Sequence, residues 1–153
     1  MPSHCSGSMA GQPRSVVMTA MDIAVHTSQG TPMPQNSGPR IVVIEDDAAL
    51  LDALAFALDT EGYDTRCYMS DKKLLADGEF DRVRCFVIDF MLAPIDGLEL
   101  LAELRRRGAT APAILITTEP DARCRRRARL MGAAIVEKPL MTDALSQKIR
   151  SLI

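Results

Sequence analysis

From Arg40 onward, short apolar or β-branched runs alternate with stretches of helical periodicity, and that alternation restricts the fold more than any single residue. The run at 41–44 (IVVI) is followed by Leu50, Leu51, Leu54, Ala55 and Leu58 at helical spacing, closed by Gly62. Residues 63–68 suit a short second strand, after which Ser70 caps a modest helix holding Leu74 and Leu75. The run at 85–88 (CFVI) is wholly apolar, as in a strand covered on both faces. It stops at Asp89, and a Pro-containing loop leads to a helix opening at Gly97, with Leu98, Leu101 and Leu104 inward. A fourth strand at 113–116 precedes a helix over 121–131, and a fifth at 133–136 precedes a helix over 143–152. The order βαβαβαβαβα predicts an α/β fold with a doubly wound parallel sheet. Parallel neighbours joined by helices need right-handed crossovers, which place helices on the faces of the sheet.

A chain of 153 residues with 47% apolar content is one domain in size and can bury an ordinary core. Residues 1–39 differ in texture: Pro2, Pro13, Pro32, Pro34 and Pro39 stand among Gly, Ser, Thr and Gln, so this stretch is expected to be a disordered tail ahead of a domain at 40–153. Residues 16–25 within it suit a transient helix, and Met21 or Met33 offers a later start; both readings stay open. A formal charge of −2 excludes a generally basic nucleic-acid binder. The 4 cysteines are far apart, with no CxxC pair, which argues against structural zinc or a disulfide scaffold and fits a reducing cytoplasm. No apolar run approaches the roughly 20 residues of a membrane span.

What stands after the strands is polar: Glu45 and Asp46 after the first, Asp89 after the third, Thr117 after the fourth, Lys138 after the fifth. In open α/β sheets ligands bind at that edge. Carboxylates brought together there raise one another's pKa unless a cation sits among them. Magnesium, which takes one or two carboxylates plus phosphate oxygens, suits such a cup. A loop built to cradle a bare phosphate would offer Gly, Ser or Thr after the first strand, where this chain has Glu45, Asp46 and Asp47. Helix capping by Asp46 or Asp47 is the plainer use of an acidic pair in that place.

IVVIEDD, VIDFMLAPIDG, ILITT and EKP follow one another in an order and spacing that resembles the receiver domains of two-component response regulators, over residues 40–153. The resemblance implies a flavodoxin-like sheet of five parallel strands in order 2-1-3-4-5 with five helices. It implies Asp89 as phosphoacceptor, attacking phosphorus in line. Glu45, Asp46, Asp89 and the backbone carbonyl of Met91 would hold Mg2+, Asp46 as the more direct ligand of the first pair. Lys138 would pair with Asp89, aimed inward by a cis bond before Pro139, and Thr117 would donate its hydroxyl to a phosphoryl oxygen only after transfer. The phosphodonor would be a sensor histidine kinase or a histidine phosphotransfer protein.

Against that family's pattern, Ile135 replaces the usual Tyr or Phe three residues before the lysine, so no ring is available to swing inward. Thr118 replaces a common Ala or Gly, and Ala93 with Pro94 replaces the more usual Pro-Gly. Met91 and Glu119 take the positions that flank the phosphoryl group. In the fourth helix, Arg123, Arg125, Arg126, Arg127 and Arg129 spread over the solvent arc if Cys124, Ala128 and Met131 face inward. Because the resemblance places output on the fourth helix, fifth strand and fifth helix, Arg123, Arg126 and Arg127 with Thr117 and Ile135 are read as switch and output positions for an acidic protein partner. No aromatic residue interleaves the arginines, which speaks against nucleic acid. The chain is thus expected to be a single-domain, chemotaxis-regulator-like response regulator, signalling by protein contacts or draining phosphoryl groups from a relay. The alternative is a degenerate receiver acting as a constitutive binding module. An aspartyl-phosphate hydrolase would want an Asp where Met91 stands, so the chain is not expected to be an enzyme.

Overall fold

A computed structural model of the chain describes residues 36–141 and 143–153. In chain order it contains β1 (Arg40–Ile44), α1 (Ala48–Thr60), β2 (Asp64–Tyr68), α2 (Asp71–Asp77), β3 (Val83–Asp89), α3 (Gly97–Arg106), β4 (Ala113–Thr117), α4 (Ala122–Leu130), β5 (Ala133–Glu137) and α5 (Ala144–Leu152). The strands form one parallel sheet in the order β2-β1-β3-β4-β5. This is the expected doubly wound topology.

Side-chain alternation along the strands divides the core in two. Ile41 and Val43 of β1 point to one face, where Leu51, Leu54 and Leu58 of α1 and Leu145 and Ile149 of α5 cover them. Val42 and Ile44 point to the other, under Leu74 of α2, Leu98, Leu101 and Leu104 of α3, and Cys124 and Ala128 of α4. The central strands β3 and β4 are buried on both faces, which is why their sequences read as unbroken apolar runs. β3 begins two residues earlier than the apolar run, because Arg84 can point to solvent near the strand's start without breaking the pairing of Val83 with Arg40. The edge strand β2 is only partly covered, so its sequence carries the weakest signal.

Local chemistry sets the boundaries. Asp47 caps α1, its side chain accepting from the Leu50 N–H, so Asp46 is left free of that role. Gly62 follows the helix with φ of 93°, a left-handed conformation that suits glycine. The tail expected over residues 1–39 lies outside the described residues as far as residue 35. Residues 36–39 belong with the domain: the Asn36 side-chain amide donates to the carbonyls of Asp59 (2.9 Å) and Tyr63 (3.0 Å), and the Asp64 N–H donates to the Pro39 carbonyl at 3.1 Å.

Candidate functional site

Parallel strands all end on the same edge, so the residues that terminate them are brought together by topology alone. Asp89 is the last residue of β3 and only 2% exposed; Glu45, just past β1, is 1% exposed, whereas its neighbour Asp46 is open to solvent. One carboxylate oxygen from each of these three lies within 4.8 Å of the others. Lys138, just past β5, reaches across the edge. Its ammonium donates to Glu45 Oε2 at 3.0 Å and to Asp89 Oδ1 at 3.1 Å. The bond between Lys138 and Pro139 is cis, as the resemblance implied, and so is the one between Ala93 and Pro94.

The electrostatics follow from that crowding. Burial pushes the Glu45 carboxyl up and the nearby Asp89 charge adds to it, while the bonds from Lys138 and from the Asp47 N–H work the other way. Burial alone would lower the Lys138 pKa; its bonds to Glu45 and Asp89 outweigh that and hold it above its ordinary value. The lysine is therefore a fixed positive charge against two buried carboxylates. Both Glu45 oxygens are already engaged, Oε2 by Lys138 and Oε1 by the Asp47 N–H at 3.2 Å. Asp46 and the second oxygen of Asp89 remain to face a ligand. An all-oxygen donor set of this kind fits a hard divalent cation.

Thr117 closes β4 and is 3% exposed; its backbone carbonyl accepts from the Lys138 N–H at 2.8 Å, which ties the two strand ends together. Its hydroxyl makes no hydrogen bond to Asp89 or Lys138 among the described residues. Met91, two residues beyond Asp89, has a side chain 66% exposed. Ile135 pairs with Leu115 across β4 and β5 and packs half-buried against the core under α4.

The reading of α4 as an arginine-covered solvent arc needs correction at Arg127. Cys124 and Ala128 do face the core, yet Arg127 is half-buried, and its guanidinium grips Asp96 at 2.8 and 3.3 Å. Asp96 caps α3 in a reciprocal capping box with Glu99, both bonds at 2.8 Å. Arg125 is drawn to Glu137, the residue before Lys138, at 2.6 Å. Arg123, Arg126 and Arg129 are exposed and have no ion-pair partner among the described residues. Phe90, Asp96, Glu119, Asp121, Arg123 and Arg127 border a cleft of about 340 Å3 beside the acidic cup. The spacing of Asp96 and Glu99 carried a capping signal that could have been read. Nothing local marks Asp96 or Glu137 as an arginine partner.

Burial alone would raise the Asp96 carboxyl, but the Arg127 hydrogen bond, with backbone donors at Glu99 and Leu98, outweighs it and holds it below its ordinary value. A lowered folded pKa contributes stability that is present above the unfolded carboxylate pKa and lost as pH falls through the folded one. Arg127→Ala is therefore expected to lower urea stability at neutral pH by roughly 1 kcal/mol. The gap should close in acid, once Asp96 is protonated in the parent as well. A gap that persists unchanged at acid pH would mean that lost packing, not the ion pair, is responsible.

Residues 41–150 match the response regulator receiver domain. The chain is 36% identical over 121 residues to the transcriptional regulatory protein TcrA of Mycobacterium tuberculosis, covering 76% of this chain and 46% of TcrA. It is 32% identical over 114 residues to the transcriptional regulatory protein FixJ of Bradyrhizobium diazoefficiens, covering 74% of this chain and 56% of FixJ. The chain thus spans about half the length of the curated relatives it matches. Among solved structures, a CheY-like response regulator receiver domain protein from Methanospirillum hungatei superposes with a TM-score of 0.69 at 27% identity, over 75% of this chain and 93% of that one. With a five-stranded sheet in the order 2-1-3-4-5 and an acidic cluster with a lysine at its carboxyl edge, the chain belongs to the response regulator receiver domain family.

Proposed function

We propose that this domain accepts a phosphoryl group on Asp89 from the phosphohistidine of a sensor histidine kinase or a histidine phosphotransfer protein, and passes the signal on through protein contacts or drains phosphoryl groups from a relay. The observation that carries this reading is the convergence on Asp89: a buried carboxylate with one oxygen on Lys138 at 3.1 Å, gathered with carboxylate oxygens of Glu45 and Asp46 within 4.8 Å of one another. The free oxygen attacks phosphorus in line, the bond to the donor nitrogen breaks, and the product is an acyl phosphate. Lys138 keeps Asp89 oriented and then follows the transferring oxygens with its charge. Asp46, Asp89 and the Met91 carbonyl would hold magnesium, with Glu45, both of whose oxygens already accept from Lys138 and the Asp47 N–H, lending its charge beside them; when bound, the ion neutralises charge on the phosphoryl oxygens. Asp46, exposed and free of cap duty, is the carboxylate of that pair best placed to ligate directly.

Thr117 supplies the link to output. The residue is buried at the end of β4, and its hydroxyl makes no bond to Asp89 or Lys138 among the described residues, so a phosphoryl oxygen offers it a partner that exists only after transfer. A contact made in one state and not the other is what shifts a two-state equilibrium. Because Ile135 is a packed aliphatic, the shift is expected to travel by the backbone tie between Thr117 and Lys138. It reaches α4 through the Arg125 contact with Glu137. The exposed Arg123 and Arg126, with Arg129, fit an acidic surface on the protein that reads the state.

The experiment is incubation of the chain with acetyl phosphate and magnesium, followed by intact mass. One added phosphoryl group, lost when magnesium is chelated, is the expected result. A folded chain that gains none under these conditions would sink the acceptor reading and leave the constitutive binding module. The lifetime of the phosphoryl group tests Met91. An exposed apolar side chain at the position that flanks the phosphoryl group in this family hinders an attacking water, whereas an amide orients one. Met91→Asn is expected to shorten the lifetime by roughly tenfold, about 1.4 kcal/mol of barrier. A parent that loses phosphate as fast as the variant would show that Met91 shields nothing.

A further inference from the structure

Two helices on opposite faces of the sheet carry complementary surfaces. α1 (AALLDALAFALDT) contains no basic residue, and α4 (ARCRRRARL) contains no acidic one. With Leu51, Leu54 and Leu58 turned to the core, the outward arc of α1 presents Ala49, Ala53 and Phe56, edged on one side by Asp52 and Asp59. Phe56 is 76% exposed, an unusual fraction for an aromatic side chain in the middle of a helix. On α4, Cys124 and Ala128 turn inward and the outward arc presents Arg126 and Leu130, flanked by Arg123 and Arg129, with Leu130 77% exposed. Neither Asp52 and Asp59 on one helix nor Arg123, Arg126 and Arg129 on the other have ion-pair partners among the described residues. Each surface is therefore a large apolar side chain framed by unspent charge of one sign.

We propose that the α4 face of one copy of this chain docks on the α1 face of another. Charge complementarity selects that pairing. A symmetric contact through α4 would set arginine against arginine, and one through α1 would set aspartate against aspartate, whereas α1 against α4 pairs each charge with its opposite and covers Phe56 and Leu130 together. Since α1 and α4 lie on opposite faces of the sheet, one copy can use both at once. The contact is heterologous, and it propagates beyond a dimer. It deepens the reading of α4 as a docking face and rests on that part alone, by naming a partner for it.

The test needs no phosphodonor, so its failure leaves the acceptor chemistry of Asp89 untouched. Sedimentation of the full chain at low salt is expected to show species larger than a dimer that grow with concentration and dissociate in roughly 1 M salt, where screening acts within about 3 Å. One variant blunts α1 (Asp52→Asn, Phe56→Ser, Asp59→Asn) and a second blunts α4 (Arg123→Gln, Arg126→Gln, Leu130→Ser). All six positions are solvent-exposed, and circular dichroism verifies that each variant is folded. Each alone is expected to be monomeric. Mixed in equal amounts they should give a dimer and nothing larger, because one intact α1 and one intact α4 remain to meet. A parent monomeric at every concentration, a mixture that stays monomeric, or oligomers that survive in either variant would overturn the proposal.

Discussion

Asp89→Asn is expected to gain no mass from acetyl phosphate and magnesium under conditions that phosphorylate the parent, while remaining folded. The amide keeps an oxygen to accept from Lys138, which also retains Glu45 at 3.0 Å, so no buried charge is orphaned. What disappears is the nucleophile. A neutral amide oxygen is far too weak to attack phosphorus, and no other carboxylate in the cluster has the same setting: Glu45 has both oxygens engaged, and Asp46 has no lysine contact. Removing the Asp89 charge also relieves the repulsion that helps to raise the Glu45 carboxyl, so Glu45 should titrate lower in the variant. Thermodynamic stability should hold or rise, by up to roughly 2 kcal/mol, since three acidic groups facing one ammonium become two. Intact mass reads the first effect and urea unfolding at neutral pH the second. A phosphoryl group that still adds to the folded variant would move the acceptor to another residue. A large loss of stability would mean that Asp89 serves chiefly to satisfy Lys138.

Much of this arrangement was legible in the chain because it depends on periodicity and on where apolar runs stop. β3 and β4 are covered on both faces, so their ends stand out as abrupt changes from apolar to polar, and a parallel sheet gathers such ends on one edge whatever the loops between them. The asymmetry between Glu45 and Asp46 came from the family resemblance, which implied Asp46 as the more direct ligand, and not from the local pattern of the chain. What could not be read was pairing at a distance. The pairing of Lys138 with Asp89 was implied by the family resemblance, but its second bond, to Glu45, 93 positions away in the chain, was not, and neither was the meeting of Arg127 with Asp96 across 31. Whether an arginine on α4 faces solvent or a neighbour depends on a rotation of a few tens of degrees about the helix axis, and on what the adjacent loop presents. No helical wheel contains that information. The contacts of Asn36 escape the sequence for a related reason: it looks like tail by composition, and only the carbonyls of Asp59 and Tyr63, brought near by the fold, give its amide a place to bond.

Gly97→Ala isolates the contact that joins fold to chemistry. Gly97 opens α3, and a Cβ placed there would lie 2.4 Å from the backbone carbonyl oxygen of Asp89 and 3.0 Å from both Ile88 Cγ2 and Leu115 Cδ1. Judged by helix propensity alone, alanine would be worth about 1 kcal/mol more than glycine. The clash opposes that gain, and its nearest atom is backbone, which no side-chain rotation can move aside. Two responses are open. α3 can lift from the sheet, which loosens Leu98, Leu101 and Leu104, all essentially fully buried. Alternatively the end of β3 can shift, which carries Asp89 away from Lys138 and Asp46. Steric crowding of this kind costs roughly 1 to 3 kcal/mol, and a backbone obstacle puts it at the upper end, so a net loss of about 2 kcal/mol in urea unfolding is the expected outcome. The initial rate of phosphoryl uptake, measured on the folded fraction, tells which element moved. A rate reduced by about tenfold or more places the shift at Asp89, because small displacements of a nucleophile from an in-line geometry are costly. An undiminished rate in a destabilised variant assigns the shift to α3. A variant as stable as the parent would mean that α3 and the end of β3 do not approach as closely as this contact requires.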